Sequence, residues 1–187
     1  MAPVLPSLII EPLGYPSELD DVVILPNHRR VHIRALRRDE DAPIRELYAR
    51  LSPRTRYLRF FSSTVPDSVI RQLARVDYRH QLALVAEHEI GNVREIVGLG
   101  SFGAVDATSV EVALVVRDDW QRQRVGTVLA NRVLQAAEQR GYRRFIGHLL
   151  PDNVAIRKLL RSVGEVVSSK RAGGMSEVAF VRRVSSN

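Results

Sequence analysis

The sequence has no cysteine. This absence excludes disulfide bonds, thiolate metal sites and any acyl-cysteine intermediate in catalysis. The chain also lacks an uninterrupted apolar run close to the roughly 20 residues of a membrane-spanning helix, so no membrane partner is expected. Residues 1–10 lack a basic segment ahead of an apolar core. No secretory signal peptide is therefore predicted, and a cytoplasmic location is expected.

Lysine is almost absent as well: of the 28 basic residues, only Lys158 and Lys170 are lysines. Guanidinium groups bind phosphate in a forked geometry, so the many arginines and the net charge of +7 suit phosphate or nucleic acid. A compositional bias of the genome would produce the same pattern. The 187 residues, 45% hydrophobic and 26% charged, otherwise have the composition of a soluble domain with a sizeable core.

Proline separates the N-terminal segment from the rest of the chain. Residues 1–28 are predicted to form an irregular arm because their hydrophobic pattern is interrupted by Pro3, Pro6, Pro12 and Pro16. Residues 29–187 are predicted to form one domain, in which apolar segments of strand length alternate with segments of helical period. This order predicts a mixed α/β sheet. The predicted strands are residues 31–36, 82–86, 95–102, 111–116, 143–149, 165–168 and 175–184.

The most informative stretch is residues 111–141, read as a strand, a basic loop and a long helix. The strand at 111–116 is apolar on both faces, so Glu111 is expected to be a buried carboxylate in a covered strand. The helix is expected at about residues 127–140, ended by Gly141. Unpaired N–H groups at its start favour phosphate. A carboxylate close to an anion site predicts an enzyme that uses a phosphate-bearing cofactor.

Two other patterns are rejected. Residues 98–103 match the dinucleotide pattern G-x-G-x-x-G, but a turn and a strand follow where that motif requires a helix. The five histidines form no ligand pair on a predicted helix, so no metal site is predicted, and all five are assigned to the surface or the core. They are His28, His32, His80, His88 and His148.

Residues 116–126 resemble the central motif of the GNAT superfamily of N-acetyltransferases, in which a strand and a Gln/Arg-x-x-Gly-x-Gly/Ala loop precede a helix. Residues 153–164 resemble its second motif, Asn-x-x-Ala followed by a helix and glycine. The resemblance implies an α/β (α+β) fold with a mixed, mostly antiparallel central sheet of six to seven strands flanked by helices. It also implies acetyl-CoA as cosubstrate and no metal.

A closer likeness is to the acetyltransferase domain of bacterial Pat-type protein lysine acetyltransferases, carried by residues 15–18, 31–34, 51–61 and 110–113. That likeness implies Glu111 as the general base and a stand-alone catalytic domain without the usual regulatory domain. Two departures stand out. Arg124 replaces the first motif glycine, and Leu160 replaces a tyrosine that protonates the leaving thiolate in many members.

Each predicted site residue has a stated role. Glu111 takes the proton of an amine, because an amine with a pKa of about 10.4 attacks a thioester only when neutral. Open backbone at residues 114–116 pairs with the pantetheine amides, and N–H groups from 122 to 127 hold the pyrophosphate. Asn153 either caps its helix or holds pantetheine. The predicted cofactor-binding residues are Leu114, Val115, Val116, Gln121, Arg122, Gln123, Arg124, Val125, Gly126, Thr127 and Asn153.

Three functions stay open at this point. The first is an N-acetyltransferase that acts on a primary amine, with a protein lysine as one candidate. The second is a catalytically inactive acyl-CoA-binding module, suggested by Arg124 and Leu160. The third, less favoured, is a basic nucleic-acid-binding protein. The chain is expected to be a monomer or a homodimer.

Overall fold

The computed structural model describes residues 14–183. Within that range, eight strands form one sheet in the order β1-β2-β3-β4-β5-β6-β8-β7. The β5–β6 pair is parallel, and the other neighbouring pairs of the described sheet are antiparallel. The strands are β1 Asp21–Ile24, β2 Arg30–Ala35, β3 Gln81–Ile90, β4 Val93–Ala104, β5 Ser109–Val116, β6 Arg144–Leu149, β7 Gly164–Ala172 and β8 Met175–Arg182.

Five α-helices flank this sheet in the described part of the chain. They are α1 Asp41–Ala49, α2 Pro53–Phe60, α3 Asp67–Ala74, α4 Val125–Gln139 and α5 Val154–Val163. Local capping explains two of the starts: the side chains of Ser52 and Asn153 accept hydrogen bonds from Thr55 N and Ile156 N. Helix α4 ends just before Gly141, whose φ of +97° suits glycine.

The predicted fold class is confirmed, with one correction. The sheet has eight strands instead of six to seven, because Asp21–Ile24 of the predicted irregular arm pairs with β2. This edge strand is short and mostly exposed, so it shows no alternation of apolar and polar residues that the sequence could reveal. Residues 1–13 of the arm and 184–187 lie outside the described range. No helix within residues 14–183 is long and apolar enough to cross a bilayer.

The glycines of the rejected dinucleotide pattern lie inside β4, which turns into β5, so that rejection is confirmed. Their role is to let α4 approach the sheet. A Cβ atom at position 98 would lie 2.9 Å from Cδ1 of Leu129, and one at position 100 would lie 3.0 Å from Cγ2 of Val133. Both neighbours belong to the buried face of α4.

We expect Gly98→Ala to lower the free energy of unfolding by about 1–3 kcal/mol, because the added methyl overpacks the contact between β4 and α4. Gly103→Ala is the matched control, since a Cβ there meets no atom of the described structure within 4 Å. It should leave stability unchanged or raise it by about 0.5 kcal/mol. Urea unfolding of both variants measures the difference, and equal effects would contradict the packing role.

Candidate active site

The site begins where two neighbouring strands separate. Strands β5 and β6 are paired at Ser109, Val110 and Glu111. Beyond Glu111 no further pair with β6 occurs within the described residues, although β5 continues to Val116. The last part of β5 therefore has an open edge that faces a gap in the sheet.

The register of β5 shows which main-chain groups face this gap. Arg117 N donates to Val97 O of β4 at 2.9 Å, and hydrogen-bonding direction alternates along a strand. The main-chain groups of Val115, opposite Leu99, thus point to β4, whereas those of Leu114 and Val116 point to the gap. The carbonyl of Val116 accepts from Gln121 Nε2 at 3.0 Å. Of the three predicted backbone partners, Leu114 and Val116 therefore face the open edge, and Val115 does not.

A cavity of about 130 Å³ occupies the gap and is called the central crevice here. Residues of α2 bound it on one face of the sheet, and residues of α4 and α5 bound it on the other. It therefore passes through the sheet at the point where β5 and β6 diverge. Polar wall residues are Arg59, Glu111, His148 and Asn153, and the apolar wall includes Leu58, Phe61, Leu114, Val133, Leu159 and Leu160.

Glu111 lies at the junction of two cavities. It lines the central crevice and also a second cavity of about 280 Å³, the side cavity, between α3, β3, β4 and β5. The predicted burial is wrong, because 54% of the Glu111 side chain is accessible. The physical reason is its position: it is the last residue of β5 that pairs with β6, so the covered part of the sheet ends there. The carboxylate still faces a crevice.

His148 is a site residue that the sequence analysis missed. Its Nδ1 lies 3.5 Å from Glu111 Oε1, and its Nε2 lies 3.4 Å from Glu177 Oε2. The three side chains stand in a row across β5, β6 and β8, because His148 pairs with Glu177 and sits two residues beyond Ile146, the partner of Glu111. Only strand pairing brings them together. The sequence spacing carried no such signal.

Arg59 of α2 also lines both cavities. Burial lowers the pKa of its guanidinium, against the opposing effects of Tyr48 and Glu111. The sequence analysis did not select this residue. A signal was present in the arginines at 54, 56 and 59 of one short helix. Arg56 instead donates to carbonyl groups at the end of α1, so it serves the fold.

The loop before α4 forms a row of free main-chain donors. In the described chain, the first N–H after Gln121 that donates a hydrogen bond belongs to Val128, which bonds Arg124 O at 3.0 Å. Arg122 and Arg124 have φ values of 58° and 72° on either side of Gln123. Alternation between left- and right-handed residues turns successive N–H groups to one side and makes an anion-binding nest. Arg124 thus adopts a glycine-like conformation.

Side chains around this loop hold it in place. Gln123 Oε1 accepts from Asn27 and Arg29 at 2.8 and 3.1 Å, and its Nε2 donates to Asp119 O at 2.7 Å. The side chain of Gln123 is therefore occupied, and only its main chain is free for a ligand. Trp120, which is fully buried, lies under the Arg29 guanidinium at 3.3 Å.

One carboxylate connects this loop to α2. Asp118 accepts from Ser52 N at 2.9 Å, from Ser52 Oγ at 2.7 Å and from Thr55 Oγ1 at 2.7 Å. Partial burial alone would raise the pKa of Asp118, but these hydrogen bonds outweigh it and lower the pKa. Gln121 Nε2 also donates to Thr55 Oγ1 at 3.2 Å. The helix that carries Arg59 is thereby tied to the phosphate-like site.

Two further predicted residues have clear positions. Asn153 Oδ1 caps α5 through Ile156 N at 3.1 Å, and the residue also lines the central crevice. Capping and a contact with pantetheine are therefore compatible. Leu160 lines the same crevice, whose described walls contain no tyrosine. Among residues 14–183 no cluster of side chains suited to a metal ion is present.

Sequence comparison identifies the family. The model of the acetyltransferase (GNAT) family matches residues 44–164, more than half of the chain. The acetyltransferase PA5475 of Pseudomonas aeruginosa is 33% identical over 146 residues, which are 76% of this chain and 78% of that protein. The acetyltransferase Pat of Mycolicibacterium smegmatis is 33% identical over 117 residues, 62% of this chain. The match spans only 35% of Pat.

Solved structures share the fold. The GNAT domain of S. lividans PAT superposes with a TM-score of 0.78 at 23% identity, covering 89% of this chain and 99% of that chain. Salmonella typhimurium yncA, solved with its cofactor acetyl-CoA, gives a TM-score of 0.61 at 18% identity, covering 80% of this chain and 91% of that chain. The predicted family and the likeness to the Pat domain are thus confirmed. The chain belongs to the GNAT family of acetyltransferases.

Proposed function

We propose that this protein moves the acetyl group of acetyl-CoA to a primary amine, with Glu111 as the general base. One observation carries the proposal. The Glu111 carboxylate stands where the central crevice, bounded by the open edge of β5, meets the side cavity. A thioester in the first and an amine in the second would meet at this carboxylate.

The open edge and the donor row fit the two ends of CoA. Pantetheine contains amides that need partners, and the free main-chain groups of Leu114 and Val116 would pair with them as an added strand would. The pyrophosphate would lie on the N–H groups of residues 122–127, where the helix dipole of α4 adds positive potential. The bound acetyl-CoA of the yncA structure supports this assignment because the fold is shared.

The chemistry is a direct transfer in a ternary complex. The neutral amine attacks the thioester carbonyl, a C–N bond forms, and the C–S bond breaks with release of the CoA thiolate. Glu111 accepts the proton that the attacking nitrogen loses. No tyrosine lines the described crevice, so water is the proposed proton source for the thiolate. The absence of cysteine leaves no thiol for a covalent relay.

His148 is proposed to position the base and to carry its proton onward. Its two ring nitrogens approach Glu111 on one side and Glu177 on the other. After Glu111 has accepted a proton, an imidazole at 3.5 Å provides a path to Glu177 and solvent. This arrangement suits a carboxylate that is half exposed, since its orientation is then fixed by neighbours instead of by burial.

A protein lysine is one candidate acceptor, supported by the likeness to Pat. Because this chain matches only about a third of Pat, the substrates of that whole protein are a proposal for this one. A cytoplasmic location and a monomeric or dimeric state also stay predictions.

We expect Glu111→Gln to lower kcat by about 10²–10⁴-fold, because the amide cannot accept a proton, with unchanged CoA binding. Release of CoA and calorimetric titration of CoA measure the two effects. Glu165→Gln, an exposed acid on β7, is the control and should keep full activity. Tight CoA binding without turnover in wild type would favour the inactive binding module. Salt-sensitive DNA binding without CoA binding would favour the nucleic-acid reading.

His148→Ala is expected to lower kcat by about tenfold, since Glu111 loses its neighbour and its proton path. In the Glu111→Gln background the same change should have little further effect, because residues that act as a unit are not additive. His80→Ala is a matched control, since His80 is exposed and away from both cavities. Full additivity with Glu111→Gln would refute the shared role.

The strain at Arg124 gives a stability prediction. Arg124→Gly should raise the free energy of unfolding of the ligand-free protein by about 1 kcal/mol, because glycine adopts positive φ without a Cβ penalty. Lys158→Gly, also the loss of one exposed positive charge but inside α5, should lower it by about 1 kcal/mol. Chemical denaturation checks the opposite signs. A loss of stability at both positions would contradict the assigned conformation.

A further inference from the structure

Arg59 is an unusual charge within this fold. Within residues 14–183, its guanidinium makes no hydrogen bond or ion pair, and its buried Nε lacks a partner. The other arginines in covered positions are paired: Arg34 with Glu40 and Glu87, and Arg117 with Glu95 and Asp119. Enclosing a charge without a partner costs free energy. An unpaired guanidinium in a cavity wall is therefore available for an anionic ligand.

The position of Arg59 selects the kind of anion. It lines the central crevice and the side cavity together with Glu111, so a group bound there would belong to a reacting molecule. The CoA phosphates have a separate place at the donor row of residues 122–127. A planar guanidinium fork matches a carboxylate in a bidentate geometry. Arginine stays protonated in proteins despite burial, so the positive charge is available at neutral pH.

We infer that Arg59 binds a carboxylate carried by one of the two reactants. That reactant is either an amine acceptor of amino-acid type or an acyl group with a terminal carboxylate, such as succinyl. This inference rests on the proposed acyl transfer and narrows its substrates. It argues against a protein lysine acetylated from acetyl-CoA, because neither reactant would then bring an anion to Arg59.

The surroundings of Arg59 support a positioning role for this contact. The short helix α2 is held at its start by Asp118 and Gln121, which belong to the loop that leads into α4. The guanidinium is thus fixed relative to the donor row and to the open edge of β5. A carboxylate bound to it would fix its molecule at a set distance from Glu111, which is the effect that orientation contributes to catalysis.

Steady-state CoA release tests the inference with matched reactants. Acetyl-CoA is assayed with free amino acids, with their C-terminal amides and with a capped, amidated lysine peptide; succinyl-CoA is assayed with the amides and the peptide. Wild type should favour one carboxylate-bearing reactant by about 10–100-fold in kcat/KM. A preference for free amino acids places the carboxylate on the acceptor, and a preference for succinyl-CoA places it on the donor.

The variants assign that preference to Arg59. Arg59→Met should abolish it, Arg59→Lys should restore part of it, and Arg54→Met, which removes an exposed charge from the same helix outside both cavities, should retain it. The melting temperature of Arg59→Met should equal or exceed that of wild type, because no partner is lost. Equal use of the capped peptide with acetyl-CoA, or an unchanged preference in Arg59→Met, overturns the inference.

Binding separates this inference from the proposed function. Calorimetry of the CoA-loaded protein compares N-acetyl amino acids with their amides, and succinyl-CoA with acetyl-CoA on the free protein. If no acceptor gives turnover but the carboxylate form binds more tightly through Arg59, the inference stands and the proposed activity fails. If turnover occurs without any carboxylate preference in kinetics or binding, the activity stands and the inference fails.

Discussion

The separation of β5 from β6 after Glu111 is the constraint on which the site depends. A strand edge without a partner leaves main-chain groups that need a ligand or water. Leu114 and Val116 supply such groups, and helices on both faces of the sheet enclose the gap. Because Glu111 is the last paired residue, its carboxylate marks the start of the gap. Catalytic group and binding edge thus follow from one break in a hydrogen-bonded ladder.

The loop after β5 maintains this opening. Trp120 anchors the loop in the core, and Asp118 binds the start of α2. Gln121 donates to Val116 O, so the open edge is partly held by the loop that presents the free donors. Gly126 then brings the start of α4 against Leu114 and Val116. The proposed binding places for pyrophosphate and pantetheine are therefore parts of one rigid connection.

Local signals in the sequence predicted the fold well. Ser52 and Asn153 cap helices as their residue types indicate, and the strand–loop–helix of residues 111–141 is present because each part depends on near neighbours. Features that depend on pairing were not predictable. The exposure of Glu111 follows from where β6 diverges, and its contact with His148 follows from the register of three strands. No spacing in the sequence encodes either.

Locally unfavourable features concentrate around the central crevice. They are the open edge of β5, the unbonded N–H groups before Val128, the positive φ of Arg124 and the unpaired charge of Arg59. Each costs free energy in the folded chain without a ligand. Elsewhere in the described structure, buried arginines such as Arg34 and Arg117 have carboxylate partners. A fold that pairs its charges in one place and leaves them open in another keeps the open ones for a ligand. Each open group also specifies the chemistry of its partner: amides for the strand edge, phosphate for the donor row and a carboxylate for Arg59.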